Sequence, residues 1–301
     1  MEGNALDNLL ELVNNALPDN QLYIGRIDGD TFTLLRILDQ GDTNLKAYEN
    51  KPIALSETYC HQVFITKAPV MIKNTAANRK TKSLPFTKQL AFRSYAGVPI
   101  YYQDGSLFGS LCAINLKPGQ FDHHTMEVLE KFSRLFAHLM ELEKQAKQDM
   151  LTKTYNRRYL HEYFEKASIK GTLLSIDLDG FKEVNDCYGH AAGNEILIEV
   201  TRRLEQNLRE QDRLFRLGGD EFIIILPGSP NESFSRTCAQ AIIASLSEWS
   251  DFSPAIDISV SIGIVHYQNK QSLKKLLQIA DEGLYQAKQQ GKGKFTMMPS
   301  G

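Results

Sequence analysis

The stretch Arg216–Leu226, RLGGDEFIIIL, sets two glycines ahead of two adjacent acids and then a wholly apolar run. The run has the length and β-branching of a buried strand. Ionised carboxylates are expensive to bury unless a cation meets them. The paired glycines permit a tight turn and let a ligand lie against backbone. A second stretch, TLLSIDLDGF, has the same character, with Asp177 closing a short apolar strand. Two strands with acids at their ends, or in the hairpin between, converge hard oxygen ligands on one spot. Magnesium suits such a place, because it takes few carboxylates and completes its shell with water and substrate phosphates. Acids that are merely solvated at a hairpin tip give the same pattern for any single pair.

The whole chain sets the limits around these motifs. Its 301 residues are 42% hydrophobic and 23% charged, with a formal net charge of -2, which is enough chain for two domains with separate cores. No basic excess points to nucleic acid as a partner. Cys60, Cys112, Cys187 and Cys238 are far apart and form no CxxC pair, which fits a reducing, cytoplasmic setting. The opening MEGNALDNLLELV is acidic and amphipathic, unlike a signal peptide, and no apolar run has bilayer-spanning length. A cytoplasmic protein without a membrane partner is expected.

The first half opens with Leu6, Leu9, Leu10, Val13 and Leu17 on one helical face. LYIGRIDGDTFTLLRIL reads as a hairpin turning at Asp28-Gly29-Asp30. Strand-like APVMIK, SYAGVPIYY and SLFGSLCAIN follow, the last two joined by the turn Gln103-Asp104-Gly105. Asp122 is placed to cap a helix whose apolar stripe runs through Leu129, Phe132, Leu135, Phe136, Leu139 and Leu142. No glycine or proline interrupts ELEKQAKQDMLTK beyond it, so a helical connector is expected there. In the second half Asn156 can cap a helix carrying Leu160 and Phe164. Further helices are expected from about Ala192, through Cys238, Ile242 and Leu246, and over SLKKLLQIADEGLYQAKQQ, interleaved with strands. The expected class is α+β.

DMLTKTYNRR, SIDLDGFKEVNDCYGHAAGN, RLGGDEF, SVSIGI and ADEGLYQAKQQGKGK, in that order and spacing, resemble the GGDEF family of diguanylate cyclases over roughly 148–298. The resemblance implies a central, mainly antiparallel sheet flanked by helices. It also implies condensation of two GTP, one on each subunit of a homodimer, into cyclic di-GMP and two pyrophosphates. Carried over by position, Asp177, the backbone carbonyl of Leu178 and Asp220 would hold Mg2+ (or Mn2+), and Asp220 with Glu221 would carry the catalytic proton traffic. Gly180, Phe181 and Lys182 would cradle the triphosphate, with Gly218 and Gly219 lying under the nucleotide. Asn185, His190 and Asn194 belong to the guanine-binding segment, and Lys288 and Lys292 would pair with phosphates.

Three positions depart from the family pattern. Asn194 stands where an acid usually reads guanine, and an amide offers one acceptor oxygen where a carboxylate offers two. Lys292 replaces an arginine and loses its bidentate fork. Gly180 replaces a bulkier residue. A catalytically silent receptor for GTP or cyclic di-GMP, and a cyclase with relaxed guanine/adenine selectivity, therefore stay open as alternatives. Arg209 and Asp212 form an RxxD ahead of the hairpin, matching the family's inhibitory site for the product, although RxxD is also an ordinary i, i+3 helix pair.

The first half, through Gly97-Val98-Pro99, the Asp104-Gly105 turn and Gly109-Ser110-Leu111-Cys112, resembles a GAF domain. This implies an antiparallel sheet with helices that senses an unknown small molecule. Tyr59, Asn74, Arg93, Tyr95 and Cys112 are candidates to line its pocket, although each such residue is more often an ordinary core or rim residue. The expected division is a GAF-like sensor over 1–142, a helical connector over 143–150 and a GGDEF domain over 151–301. Leu135, Leu139, Leu142 and Met150 would make the connector a dimerising stalk.

Overall fold

In the computed structural model, residues 3–39, 43–166, 170–228, 231–249, 257–268 and 271–299 are described. The chain divides into two compact units, Met1–Lys144 and Gln145–Gly301.

In the first unit the leucine face of the opening segment becomes α1 (Gly3–Ala16). Then come β1 (Gln21–Asp28), β2 (Thr31–Leu38), β3 (Pro52–Ala54), α2 (Cys60–Thr66), β4 (Val70–Ile72), α3 (Pro85–Lys88), β5 (Ser94–Tyr101), β6 (Leu107–Asn115) and α4 (His123–Lys147). The six strands form one antiparallel sheet in the order β3-β2-β1-β6-β5-β4. Alternation along each strand feeds two cores. Leu22, Ile24, Val98 and Leu111 pack with Leu6, Leu10, Val13, Leu129 and Phe136 of the long helices. Tyr23, Tyr95 and Cys112 face the other way, towards Tyr59, Cys60 and Val63. Both expected hairpins form, with Gly29 (φ 55°) and Gly105 (φ 81°) supplying the left-handed turn residues. Asp122 caps α4, its Oδ1 accepting from Thr125 N at 2.9 Å.

The helical connector is shorter than its apolar pattern suggests. α4 stops at Lys147. Asp149 Oδ1 instead accepts from Thr152 N at 2.9 Å and Thr152 Oγ1 at 2.8 Å, closing a turn that competes with helix.

The second unit contains β7 (Tyr155–Asn156), α5 (Arg157–Lys166), β8 (Gly171–Asp179), α6 (Phe181–Gln206), β9 (Arg213–Gly218), β10 (Glu221–Pro227), α7 (Glu232–Ser245), β11 (Ser259–Tyr267), α8 (Leu273–Gln289) and β12 (Phe295–Met298). Its sheet runs β12-β11-β8-β10-β9-β7, antiparallel through the centre and parallel at both edges. Ile176, Leu178, Phe222 and Ile224 meet Val200, Leu204 and Ile242 on one face. Leu173, Ile223 and Val265 meet Leu160, Leu276 and Ala280 on the other. Asn156 caps α5 as its sequence suggests, with Tyr159 N donating to Oδ1 at 2.9 Å.

α6 begins at Phe181, eleven positions before the expected start near Ala192, and Gly189 (φ 81°, ψ 164°) interrupts it. The apolar stripe from Leu197 onward marks only the second segment, so the short one ahead of the break carried no periodic signal.

Candidate active site

The site is built on the central strands β8 and β10 and on the α6 and α8 helices beside them. Gly218 (φ 148°) and Gly219 (φ 53°) turn β9 into β10 in backbone that other residues avoid, and a Cβ on either would meet nothing within 4 Å. The hairpin tip is therefore open ground. Arg216 fixes it from behind: Nε and Nη2 donate to Gly219 O at 3.0 and 2.7 Å, and Nη1 to Asp149 Oδ1 at 2.8 Å. Asp220 sits at the tip, and Glu221 stands in register with Asp177 of β8.

Asp177 is met by a cation of the protein itself. Lys288 of α8 places Nζ 2.6 Å from Asp177 Oδ1. Burial raises the Asp177 carboxyl above the usual range; Lys288 opposes this, and Asp220 and Asp179 add to it. Glu221 is likewise raised, by burial first and then by Asp177, Asp281 and Asp220, with Arg157 opposing. The acids thus sense one another at the end of the central strands, and a positive charge placed among them is favourable. Leu178 turns its side chain into the core, so only its peptide group is left to face a ligand.

Gly180 (φ 85°) caps the start of α6 in left-handed backbone, and a Cβ there would press on Asp257 O. Glycine at this position is thus a conformational requirement as well as a departure from the family pattern. Phe181 is buried, and Lys182 lies exposed in the first turn of α6. Asn185 is half-buried, and its Oδ1 occupies the space a Cβ on Gly193 would take. His190 and Asn194 are exposed on the segment beyond the Gly189 break. Lys292 is exposed in the loop after α8, in left-handed backbone at φ 59°.

Sequence reasoning passed over three acids. Asp179 is buried and accepts from Ser261 Oγ at 2.9 Å, Ser259 Oγ at 3.1 Å and Gly293 N at 3.2 Å. It ties the end of β8 to the loop that carries Lys292. Asp149 holds Arg216, and Asp281 accepts from Ser175 Oγ at 2.9 Å. The repeated acid of Asp177-Leu178-Asp179 was the available signal for the first of these.

Arg209 and Asp212 lie in the loop between α6 and β9, not within a helix. Their contact is a bidentate clasp, Nη2–Oδ1 at 2.8 Å and Nε–Oδ2 at 3.0 Å. The guanidinium also stacks 4.2 Å from the Phe234 ring, and the pair lines a cleft of ≈370 Å³.

In the first unit the five pocket candidates separate. Tyr59, Tyr95 and Cys112 are buried together, the tyrosine rings 5.2 Å apart. Tyr59 borders a cavity of only ≈10 Å³. Asn74 is exposed and accepts from Ala76 N and Ala77 N in a turn. Arg93 donates to the carbonyls of Thr87 and Phe92, close enough for its charge to act on Tyr59, so Asn74 alone stands apart from the cluster.

Acids with Lys288 among them, beside an open glycine turn and a helix start, have the chemistry that a phosphate ester and its counter-cation require. The family models agree with this construction. "Diguanylate cyclase, GGDEF domain" matches residues 146–294, and "GAF domain" matches residues 4–139. Diguanylate cyclase DosC of Escherichia coli (strain K12) is 40% identical over 160 residues, covering 50% of this chain and 34% of that protein. The uncharacterized protein YtrP of Bacillus subtilis (strain 168) is 39% identical over 162 residues, covering 53% of this chain and 28% of that protein. The chain thus spans about a third of the length of these relatives. Among solved structures, the coiled coil and GGDEF domain of DgcB from Caulobacter crescentus, in complex with c-di-GMP, is 25% identical with a TM-score of 0.50, covering 58% of this chain and 96% of that one. The chain carries a GAF domain followed by a GGDEF domain. No helix among the described residues is long and apolar enough to cross a membrane.

Proposed function

We propose that the GGDEF domain is an active diguanylate cyclase, joining two GTP into cyclic di-GMP with release of two pyrophosphates. The proposal rests above all on Asp177, Asp220 and Glu221 lying at the same end of the central strand pair, with Lys288 seated on Asp177. A silent receptor would have no need of that set. Among the described residues no three His, Cys, Asp or Glu side chains are already gathered for a metal. The donor set nonetheless fits Mg2+ or Mn2+, since two carboxylates and the Leu178 carbonyl leave room for phosphate oxygens, and an ammonium already sits on Asp177. When bound, such an ion would polarise the α-phosphate and offset charge building on pyrophosphate.

The chain's own groups do the rest. The first-turn N–H groups of α6, with Lys182, receive the phosphates, as helix N-termini do. Lys288 and Lys292 neutralise phosphate charge from the other side. Asn185, His190 and Asn194 border the base. Asp220 takes the proton of the attacking 3′-hydroxyl, with Glu221 beside it. The second nucleotide comes from a second copy of the chain, and Leu135, Leu139 and Leu142, exposed along one stripe of α4, support a dimer. The Arg209–Asp212 clasp beside its cleft supports product inhibition there, because a guanidinium held this way offers its remaining donors to phosphate and its face to a base. A small molecule acting on the GAF domain would be the input.

The test incubates the full chain and magnesium with GTP, with ATP and with both, and identifies products by mass spectrometry. Cyclic di-GMP from GTP, lost in Asp220→Ala, is the expected result. A mixed dinucleotide would assign relaxed selectivity to the Asn194 amide, which can pair with adenine. GTP binding without product in any arm would support the receptor instead.

A further inference from the structure

Two thiols that the cyclase reaction does not use meet in the core of the first unit. Cys60 opens α2 and Cys112 lies within β6, both 0% exposed, with their sulfurs 3.7 Å apart. A buried cysteine is commonly just a small apolar side chain. This pair is different, because the fold surrounds it with hydroxyls. Tyr23 Oη is 3.3 Å from Cys60 Sγ, Tyr95 Oη is 3.4 Å from Cys112 Sγ, and Cys112 Sγ lies 3.4 Å from Ser110 Oγ. Gly97, paired with Cys112 across β5 and β6, leaves space for this set; a Cβ there would strike Tyr95 Oη and come within 3.1 Å of Cys112 Sγ.

The two thiols ionise unequally. Burial works to raise Cys60, yet hydrogen bonds from Cys112, Ser110, Tyr23 and Tyr95 outweigh it and bring the thiol down to about 7. Cys112 is held far above the usual thiol range by burial and by Cys60. One thiolate facing one thiol is the arrangement that oxidants of the peroxide class attack. The remaining cysteines lack it: Cys187 is exposed and single, and burial pushes Cys238 up to about 11.

We propose that Cys60 and Cys112 are a redox modification site, converted by a peroxide-class oxidant into a reversible intramolecular disulfide. The Cys60 thiolate attacks one peroxide oxygen, the O–O bond breaks, and the departing hydroxide takes a proton to become water. Cys60 is then a sulfenic acid. The Cys112 sulfur attacks it, and its proton leaves with the hydroxyl as a second water. Two thiols and one hydrogen peroxide thus give one disulfide and two waters, the sulfurs losing the two electrons that the O–O bond gains. A sulfur–sulfur bond is about 2 Å long, so the 3.7 Å gap must close by under ~2 Å. Both cysteines are 0% exposed, so a small uncharged oxidant reaches them as the packing around them opens. A dithiol reverses the reaction by exchange.

The test uses the full chain and no nucleotide, so its outcome is independent of the cyclase proposal. Reduced protein is treated with hydrogen peroxide, denatured with an alkylating agent and digested without reductant. The expected product is a Cys60 peptide joined to a Cys112 peptide, lighter by two hydrogens and released by dithiothreitol. It should form faster as pH rises through about 7. Cys112→Ser should lose the link and leave a sulfenic acid at Cys60 that dimedone traps. Oxidised Cys187 with Cys60 and Cys112 still fully alkylated would overturn the proposal, as would Cys60 passing to sulfinic acid unlinked. The wild-type map decides the matter alone if Cys112→Ser fails to fold.

Discussion

Asn194 carries the amide that most separates this chain from the family pattern, and its exposed place on α6 leaves it free to meet a base. One imperfect hydrogen bond there costs on the order of 1–3 kcal/mol, or roughly ten- to a hundredfold in affinity. Asn194→Asp is therefore expected to tighten GTP binding by about that factor in titration calorimetry, with ATP binding not improved. Asp177 and Glu221 give the site its pH response. Both are raised chiefly by burial, so they gain protons at higher pH than free carboxylates near about 4. A carboxyl raised in the fold adds stability that is full below its unfolded value and is lost as pH rises through the raised one. Nucleotide and metal binding need the ionised form and run the other way. Between about pH 4 and the raised values, acidification should therefore stabilise the unloaded chain while weakening GTP binding, and Asp177→Asn should blunt both slopes. Denaturant titrations beside binding titrations at each pH check this. Lys288 came from the family resemblance alone, while Asp177 and Asp220 were legible as candidate ligands because acids at strand ends bear the chemistry. Asp179 was not, since it is recognised by Ser259, Ser261 and a peptide N–H 114 residues away, contacts that exist only once the sheet has formed.

α8 reaches the site because it lies directly on β11. A Cβ on Gly263 would run into the backbone of Ala280 and Leu284, and one on Gly283 would lie 3.3 Å from the Gly263 Cα. Two facing glycines set the helix close to the sheet and bring Lys288 within reach of β8. Gly263→Ala is expected to destabilise the chain by about 3 kcal/mol and to depress cyclase activity as α8 is pushed outward. Urea unfolding and product formation read the two effects. Most elements could be read from period and punctuation, as both first-unit hairpins and the capped starts of α4 and α5 show. Two could not. The segment of α6 before Gly189 is set by the Gly180 cap and the packing of Phe181 and Val184, which leave no repeat. α4 stops where Asp149 prefers its own turn, and a hydrophobic pattern does not register that choice.

The proposed reaction draws one nucleotide from each of two copies of the chain, and α4 carries an apolar stripe suited to that pairing. Leu135, Leu139 and Leu142 are 45%, 38% and 55% exposed. Leu139→Glu is expected to shift sedimentation from dimer towards monomer and to make specific activity fall on dilution; unchanged sedimentation would place the dimer contact elsewhere. The Lys288–Asp177 contact has its own consequence for the chain as a whole. Sites that bind charge often carry unbalanced charge when empty, so removing one of their residues commonly strengthens the fold at the expense of activity. Here Lys288 supplies a counter-ion from the chain itself. Lys288→Met would leave Asp177, Asp220 and Glu221 with only Arg157 to offset their mutual repulsion. It should lower both turnover and the free energy of unfolding, the latter by about 1–2 kcal/mol, between an exposed pair and a buried one. For this lysine, durability and activity are not rivals, and a search for hardier variants should retain it even when activity is not being selected.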